Sequence, residues 1–441
     1  MSDKQTTRVE PLGKPLRGVA YVPGDKSISH RAVLFGAMAQ GTSRLSGVLD
    51  SADVRSSIAA VQALGAQCNL EKQEDGSLAG TVAGWGEAGP ASPAEPIDCG
   101  NSGTTTRLLM GLLAPWDVRV QLQGDESLSR RPMKRITKPL SQMGARFEPV
   151  GCDTLPLTVC GSRSLQGIAY ESPVASAQLK TALLLAGLGA QGLTRVDEPA
   201  PSRNHTELML PGFGVRVQAG DCFAAVEGGQ TLHACDVDVP GDPSSAAFPA
   251  CAAVIAPGSS IELANISLNK ARTGFADVLE AMGANVSRRQ TGSAGSEPTG
   301  SLFVEYTQHL QAATVEPQAI AGMVDEIPVL ALVAAHAQGT TVFKGAGELR
   351  VKETDRFQAI IDGLAVLGVR AWGEGDNLCI EGRPGLQTQG VLEFDSLGDH
   401  RLAMTWALVG LTGANPVNVA RFESVDISYP TFLEDMRRLA Q

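Results

Sequence analysis

Several short segments of this 441-residue sequence gather cations, hydroxyls and glycines in patterns suited to holding small anions. Gly24-Asp25-Lys26-Ser27-Ile28-Ser29-His30-Arg31 places a lysine, hydroxyls and an arginine at an expected helix start. Exposed backbone N–H groups and the positive end of the helix dipole favour negative charge there. In Asp98-Cys99-Gly100-Asn101-Ser102-Gly103-Thr104-Thr105-Thr106-Arg107 the glycines let a ligand approach the backbone, and the hydroxyls can donate to it. Ser127-Leu128-Ser129-Arg130-Arg131-Pro132 sets two arginines ahead of an expected proline-started helix, and Ser202-Arg203-Asn204-His205-Thr206-Glu207 is a similar loop. Taken singly, each segment reads equally as a capped, solvated helix start.

Proton transfer needs carboxylates beside such cations, and two segments supply them. Asp325-Glu326 is one; the other is Arg350-Val351-Lys352-Glu353-Thr354-Asp355-Arg356. On a helix, Lys352 and Arg356 would be i,i+4 neighbours and Glu353 would lie i,i+3 from Arg356. A carboxylate flanked by cations suits proton movement next to a bound anion. Gly398-Asp399-His400-Arg401 precedes an uncharged run that would hold Arg401 at a rigid rim.

Composition narrows the ligands. Lys and Arg total 36 against 47 Asp and Glu, so the net charge of −11 gives no general attraction to nucleic acid or an anionic membrane. An anionic ligand must be held by clustered cations. No phosphate-binding GxxxxGK[ST] occurs, nor a GxGxxG after a strand, so nucleotide binding lacks support. The 8 cysteines form no CxxC pair and show no zinc-ligand spacing. Met1 to Leu16 is polar, and apolar runs fall short of the ~18 residues that cross a bilayer, so a cytoplasmic location is expected.

The elements that position these residues repeat. Leu64-Gly65-Ala66, Met143-Gly144-Ala145, Phe213-Gly214-Val215, Met282-Gly283-Ala284 and Leu367-Gly368-Val369 each end a helical apolar pattern, at spacings of about 70 to 85 residues. Each glycine reads as the left-handed residue that stops a helix. β-Branched stretches begin near Gly41, Asp117, Gly192, Gly258, Gly339 and Asn415, giving six βα-rich modules of about 74 residues. Near-copies at Val22-Pro23-Gly24-Asp25 and Val239-Pro240-Gly241-Asp242 suggest crossings between two lobes. Lobe I is then residues 1–24 plus 241–441 and lobe II residues 25–240, with a ligand cleft expected between them.

PGDKSISHR, GNSGTTTR, RRP, ASAQLKTALL, RVKETDR and GDHRLAM, in this order, resemble the 5-enolpyruvylshikimate-3-phosphate synthases over about Val22 to Pro430. The resemblance implies an α/β fold, a two-lobed inverse α/β barrel of six repeats, three per lobe. It implies transfer of the enolpyruvyl group of phosphoenolpyruvate to the 5-hydroxyl of shikimate 3-phosphate by addition and elimination, with no metal or cofactor. Those two small molecules would be the partners of a monomer. Lys26 would touch both substrates. Ser27, Arg31, Ser176, Gln178, Ser202 and Arg203 would bind shikimate 3-phosphate. Asn101, Gly103, Arg131, Gln178, Arg356 and Arg401 would bind phosphoenolpyruvate. Asp325 would orient and deprotonate the 5-hydroxyl, Lys352 would bind beside it, and Glu353 would protonate the methylene carbon.

This sequence departs from the family pattern at Ala177, where many members have a second serine, and at Ile427, where some have lysine. Gly103 keeps the space that an alanine would fill, which implies sensitivity to glyphosate. The related UDP-N-acetylglucosamine enolpyruvyl transferases use a loop cysteine, and none lies between Cys99 and Cys152 here. A non-catalytic anion-binding scaffold would not need Asp325 and Glu353 beside the cations.

Overall fold

The computed structural model describes residues 5–294 and 296–441. They divide into two compact units: Met1–Pro23, Gly241–Gly292 and Pro298–Gln441 form one, and Gly24–Pro240 with Ser293–Glu297 the other. Within each unit the chain repeats one plan, with helices inside and small sheets outside, the inverse of the usual α/β order. Among the described residues each unit carries 3 sheets, and the six-repeat α/β fold expected from the sequence is found.

The first repeat shows the plan. Helix Lys26–Met38 leads to strand Thr42–Val48, then helix Ala52–Ala63, then a hairpin of strands Gln67–Lys72 and Leu78–Ala83. Leu78–Ala83 pairs antiparallel with both Thr42–Val48 and Gln67–Lys72. Val237–Asp238, from the far end of the unit, adds to Thr42–Val48 in parallel, so the last repeat closes on the first. Strands Ile97–Asp98, Ala169–Glu171, Arg17–Ala20 and Thr314–Val315 play the same parallel role in four other sheets. The remaining sheet has three strands: Leu392–Asp395 runs parallel to Val417–Ala420, and the N-terminal strand Thr6–Val9 completes it antiparallel.

The two helices of a repeat differ in kind because their surroundings differ. The first is rich in small residues, and in two repeats it is buried on all sides: every residue of Pro243–Ile255 and of Ile327–Ala335 is buried. A helix apolar all round belongs in a core. Small residues let these helices approach closely; a Cβ on Gly111 of helix Gly103–Leu113 would lie 2.1 Å from the Ala182 carbonyl oxygen of helix Ala177–Leu188. The second helix buries one stripe, as Ala52–Ala63 does with Val54, Ile58 and Val61.

The repeated glycines stop these helices as expected. Gly65, Gly144, Gly214, Gly283 and Gly368 all have positive φ, between 68° and 114°. Each carries the paired bonds of a Schellman motif. At Gly283, for example, its own N–H donates to the Glu280 carbonyl and the Ala284 N–H donates to that of Leu279, both at 2.9 Å.

Gly283 has φ +81° and open space where a Cβ would sit. Gly283→Ala therefore meets backbone strain alone and should cost about 1–2 kcal/mol. The measurement is the urea unfolding midpoint; an unchanged midpoint would show that the left-handed turn does not stabilise the repeat.

Candidate active site

The sequence segments singled out for chemistry sit at or just before helix starts, some of buried helices and some, as before Lys134–Met143 and at Arg356–Val366, of helices that bury one face. In the unit 24–240, Asp25 caps helix Lys26–Met38, its Oδ1 accepting from the Ile28 N–H at 2.9 Å. Lys26, the first helical residue, pairs with Asp53 at 2.5 Å. Burial works against the Asp53 charge, but Lys26 and its neighbours outweigh that and hold its pKa below the usual range. Arg31 is buried and donates to Thr206 Oγ1 at 2.8 Å, the Ser27 carbonyl at 2.9 Å and Thr181 Oγ1 at 2.8 Å. It braces three elements. His30 joins a buried hydroxyl chain through Ser57 and Thr105 to Ser102. Burial pushes its pKa down to about 3, so the ring is neutral.

Ser102 caps helix Gly103–Leu113, its Oγ accepting from the Thr105 N–H at 3.1 Å. Asn101 is held between Asp125 and Arg131, donating to the first and accepting from the second, each at 2.7 Å. Arg131 itself precedes helix Lys134–Met143; Pro132 lies outside that helix and does not start it. Arg107, quoted within the motif but given no role, donates to Gln178 Oε1 at 3.0 Å, and the Gln178 amide donates to Thr104 at 3.0 Å. Burial, then Arg131 and Arg135, lower the Arg107 pKa to about 10. A Cβ on Gly103 would lie 2.7 Å from the Arg107 guanidinium and 3.6 Å from that of Arg131. An alanine there strikes an arginine first.

Ser176 caps helix Ala177–Leu188, and Ala177 is its first residue. Lys180, four residues on, is buried between Glu198 and Glu207, each at 2.8 Å. Glu198 also accepts from the Ser176 N–H at 2.6 Å and from the Ser202 hydroxyl at 2.8 Å. Arg203 lies beside them in the loop before helix His205–Met209.

The unit containing 298–441 centres on Arg356, the first residue of helix Arg356–Val366. Its Nε donates to Asp399 at 2.6 Å, Nη1 to Asp325 at 3.0 Å and Nη2 to Glu353 at 2.7 Å. Burial opposes the Arg356 charge, but Asp399, Glu353 and Asp325 outweigh it and raise its pKa. Burial likewise opposes the charge of Glu353, yet Arg356 and His400 hold its carboxyl at about 2. The side chain keeps 39% of its surface open while protein surrounds it more widely, so solvent screens part of this effect. What stabilisation it brings is present above its ordinary 4.5 and is lost as pH falls through about 2.

Lys352 departs from expectation. It has extended backbone after the 3₁₀ turn Ala346–Val351, so it shares no helix with Arg356, and it pairs instead with Glu348 at 2.7 Å. Asp355, the cap of the next helix, has non-helical backbone (φ −69°, ψ 83°) and separates the two. Arg401 lies 3.5 Å from Glu326, and the Asp399 carboxylate caps its helix, accepting from the Arg401 N–H at 2.8 Å. Ile427 ends the 3₁₀ turn Phe422–Ile427 and is half-buried, ahead of the buried Tyr429. Among the described residues no group of His, Cys, Asp and Glu is arranged to hold a metal ion.

Sequence reasoning passed over Asp53, Glu198 and Glu207, because an acid near a helix start has many uses. Lys180 did carry a signal: a lone charge in an apolar helical run must find a partner inside the fold.

Helix N-termini dressed with cations that carboxylates hold in place define an α/β protein built to bind small, multiply anionic molecules. A family model described as EPSP synthase (3-phosphoshikimate 1-carboxyvinyltransferase) matches residues 11–436, and the chain belongs to that family. A relative from Halorhodospira halophila, named 3-phosphoshikimate 1-carboxyvinyltransferase, is 46% identical over 432 residues, covering 98% of this chain and 95% of that protein. One of the same name from Bacillus licheniformis is 44% identical over 427 residues, covering 97% and 98%. The solved EPSP synthase of Acinetobacter baumannii matches with a TM-score of 0.88 and 38% identity over 98% of each chain. The enolpyruvyl transferase NikO of Streptomyces tendae, at 18% identity and a TM-score of 0.78 over 99% of this chain and 98% of that one, shares the fold.

Removing Arg356 leaves the fully buried Asp399 carboxylate without its cation. Arg356→Met should cost about 3–5 kcal/mol of stability. Lys352→Met breaks only a partly exposed pair and should change stability by about 0–1 kcal/mol. Denaturant titration of both variants checks this; equal effects would mean that the Arg356 cluster is not a buried charge network.

Proposed function

We infer that the chain transfers the enolpyruvyl group of phosphoenolpyruvate to the 5-hydroxyl of shikimate 3-phosphate, releasing phosphate, in aromatic amino acid biosynthesis. Family membership over nearly the whole chain carries this reading. Two polyanions repel each other, so fixed cations must offset that repulsion before they can react. Lys26, Arg131, Arg356 and Arg401 supply such charge, and prearranged charge stabilises what develops in the transition state.

On this reading Lys26, Ser27, Arg31, Ser176, Gln178, Ser202, Arg203 and Lys352 serve shikimate 3-phosphate. Asn101, Gly103, Arg131, Gln178, Arg356 and Arg401 serve phosphoenolpyruvate. The buried Arg31 acts less as a free cation than as a brace for Ser27, whose carbonyl it grips. Asp325, which accepts from Arg356, would take the proton of the 5-hydroxyl. The domains act as the lobes 1–24 with 241–441 and 25–240, in a monomeric cytoplasmic protein whose eight thiols are all free. No helix among the described residues is long and apolar enough to cross a membrane.

Glu353 raises a physical requirement. A carboxyl held at about 2 carries no proton to give at neutral pH. To protonate the methylene carbon it must first take one up, and an anionic substrate docking on Arg356 brings this about. It adds negative charge beside Glu353 and spends part of the Arg356 attraction, and both effects raise the carboxyl pKa.

The direct test is phosphate release from phosphoenolpyruvate, which should depend on added shikimate 3-phosphate. Lys26→Met, Asp325→Asn and Glu353→Gln should each lower turnover ~10²-fold or more while remaining folded by circular dichroism. Turnover near wild type in a folded variant would remove that residue's assignment. Calorimetry in buffers of different ionisation enthalpy should further show proton uptake when phosphoenolpyruvate joins the shikimate 3-phosphate complex, reduced in Glu353→Gln. Equal uptake in both proteins would place the proton elsewhere.

A further inference from the structure

The Lys180 cluster has no part in the roles given so far, yet it touches two of the groups expected at the 3-phosphate. We propose that Glu198, paired with Lys180, is a positioning residue for the phosphate of shikimate 3-phosphate. This rests on the reading of Ser176 and Ser202 as ligands of that phosphate.

The Glu198 side chain is fully buried. One carboxylate oxygen accepts from the Ser176 backbone N–H at 2.6 Å; the other accepts from the Ser202 hydroxyl at 2.8 Å and lies 2.8 Å from Lys180 Nζ. Ser176 is thus held from two sides, because its own Oγ accepts from the Leu179 N–H at 3.4 Å. That leaves the Ser176 hydroxyl proton to donate outward, whereas the Ser202 proton is given to Glu198 and must turn from it to meet a phosphate. The carboxylate therefore fixes both the loop Glu198 to Ser202 and the cap of helix Ala177–Leu188.

A bare carboxylate would defeat this arrangement, since it would repel a phosphate dianion at short range. Lys180 offsets its charge, while Glu207, the second carboxylate on Lys180, also faces the buried Arg31. The lysine stands four residues after Ser176, on the same helix face, and its second carboxylate, on Glu207, leaves one buried oxygen without a hydrogen-bond partner. Structural need alone does not account for such a cluster, because apolar side chains of similar volume commonly replace a buried ion pair without loss of stability. A role at the phosphate does account for it.

The test compares dissociation constants for shikimate 3-phosphate and for shikimate, which lacks the phosphate. Glu198→Gln should weaken the phosphorylated ligand ~10-fold relative to shikimate, the size of one lost charge-assisted contact. The KM for phosphoenolpyruvate should not change. Glu198→Asp keeps the charge balance but is one methylene shorter, so it should fold and show the same selective loss. Lys180→Arg should keep near-native discrimination, and Lys180→Met should lose it. If both ligands weaken in parallel, or neither does, the positioning role is overturned. Ser176→Ala and Ser202→Ala separate the two readings. If they reduce the phosphate preference and the Glu198 variants do not, only the positioning role falls; if they leave it intact, the ligand assignment falls and the proposal with it.

Discussion

The fold is organised around holding positive charge still before any ligand arrives. A lysine or arginine on a solvated surface samples many rotamers, and ordering it on binding costs free energy. Here Lys26 is held by Asp53, Arg131 by Asn101, Arg356 by three carboxylates and Arg401 by Glu326. Most of those partners come from another helix start or loop of the same unit. The inner helices must therefore be packed in register for the charges to lie where they do. This explains why the repeats use small residues inside, as at Gly111 against Ala182: close helices leave little slack at their N-termini.

Carboxylate partners bring a second consequence. Cations without them would repel one another, as Arg131 and Arg135 do when they add to burial in lowering the Arg107 pKa. Paired cations can be packed densely, and the chain can be acidic overall, at −11, while still presenting guanidinium groups to an anion. At Arg356 the partners are themselves titratable: against burial, Arg356 and then His400 hold the Glu353 carboxyl below its ordinary range.

Much of this was legible in the residues. The five glycine stops fixed the repeat length because a left-handed helix end has few alternatives to glycine, and all five take that conformation. The motif segments were found because helix starts rich in hydroxyls, glycine and arginine leave a local pattern. The partners were not legible: Asp53, Glu198 and Glu207 act through contacts between segments far apart in sequence, and nothing near them marks which cation they meet. Lys352 failed for a local reason. Helical spacing was read across a stretch that the Asp355 cap breaks into a 3₁₀ turn and a separate helix.

The same view changes the meaning of Gly103. Read from the sequence, its missing methyl leaves space for a ligand. In the structure that space borders the Arg107 guanidinium, and Arg107 in turn orients Gln178, whose amide reaches Thr104 on the first turn of the same helix as Gly103. A methyl at this position must move an arginine to be accommodated, and the movement passes directly to Gln178, a residue expected to meet both substrates. What a methyl here would disturb is set less by empty volume than by how far Arg107 can yield before it releases Gln178.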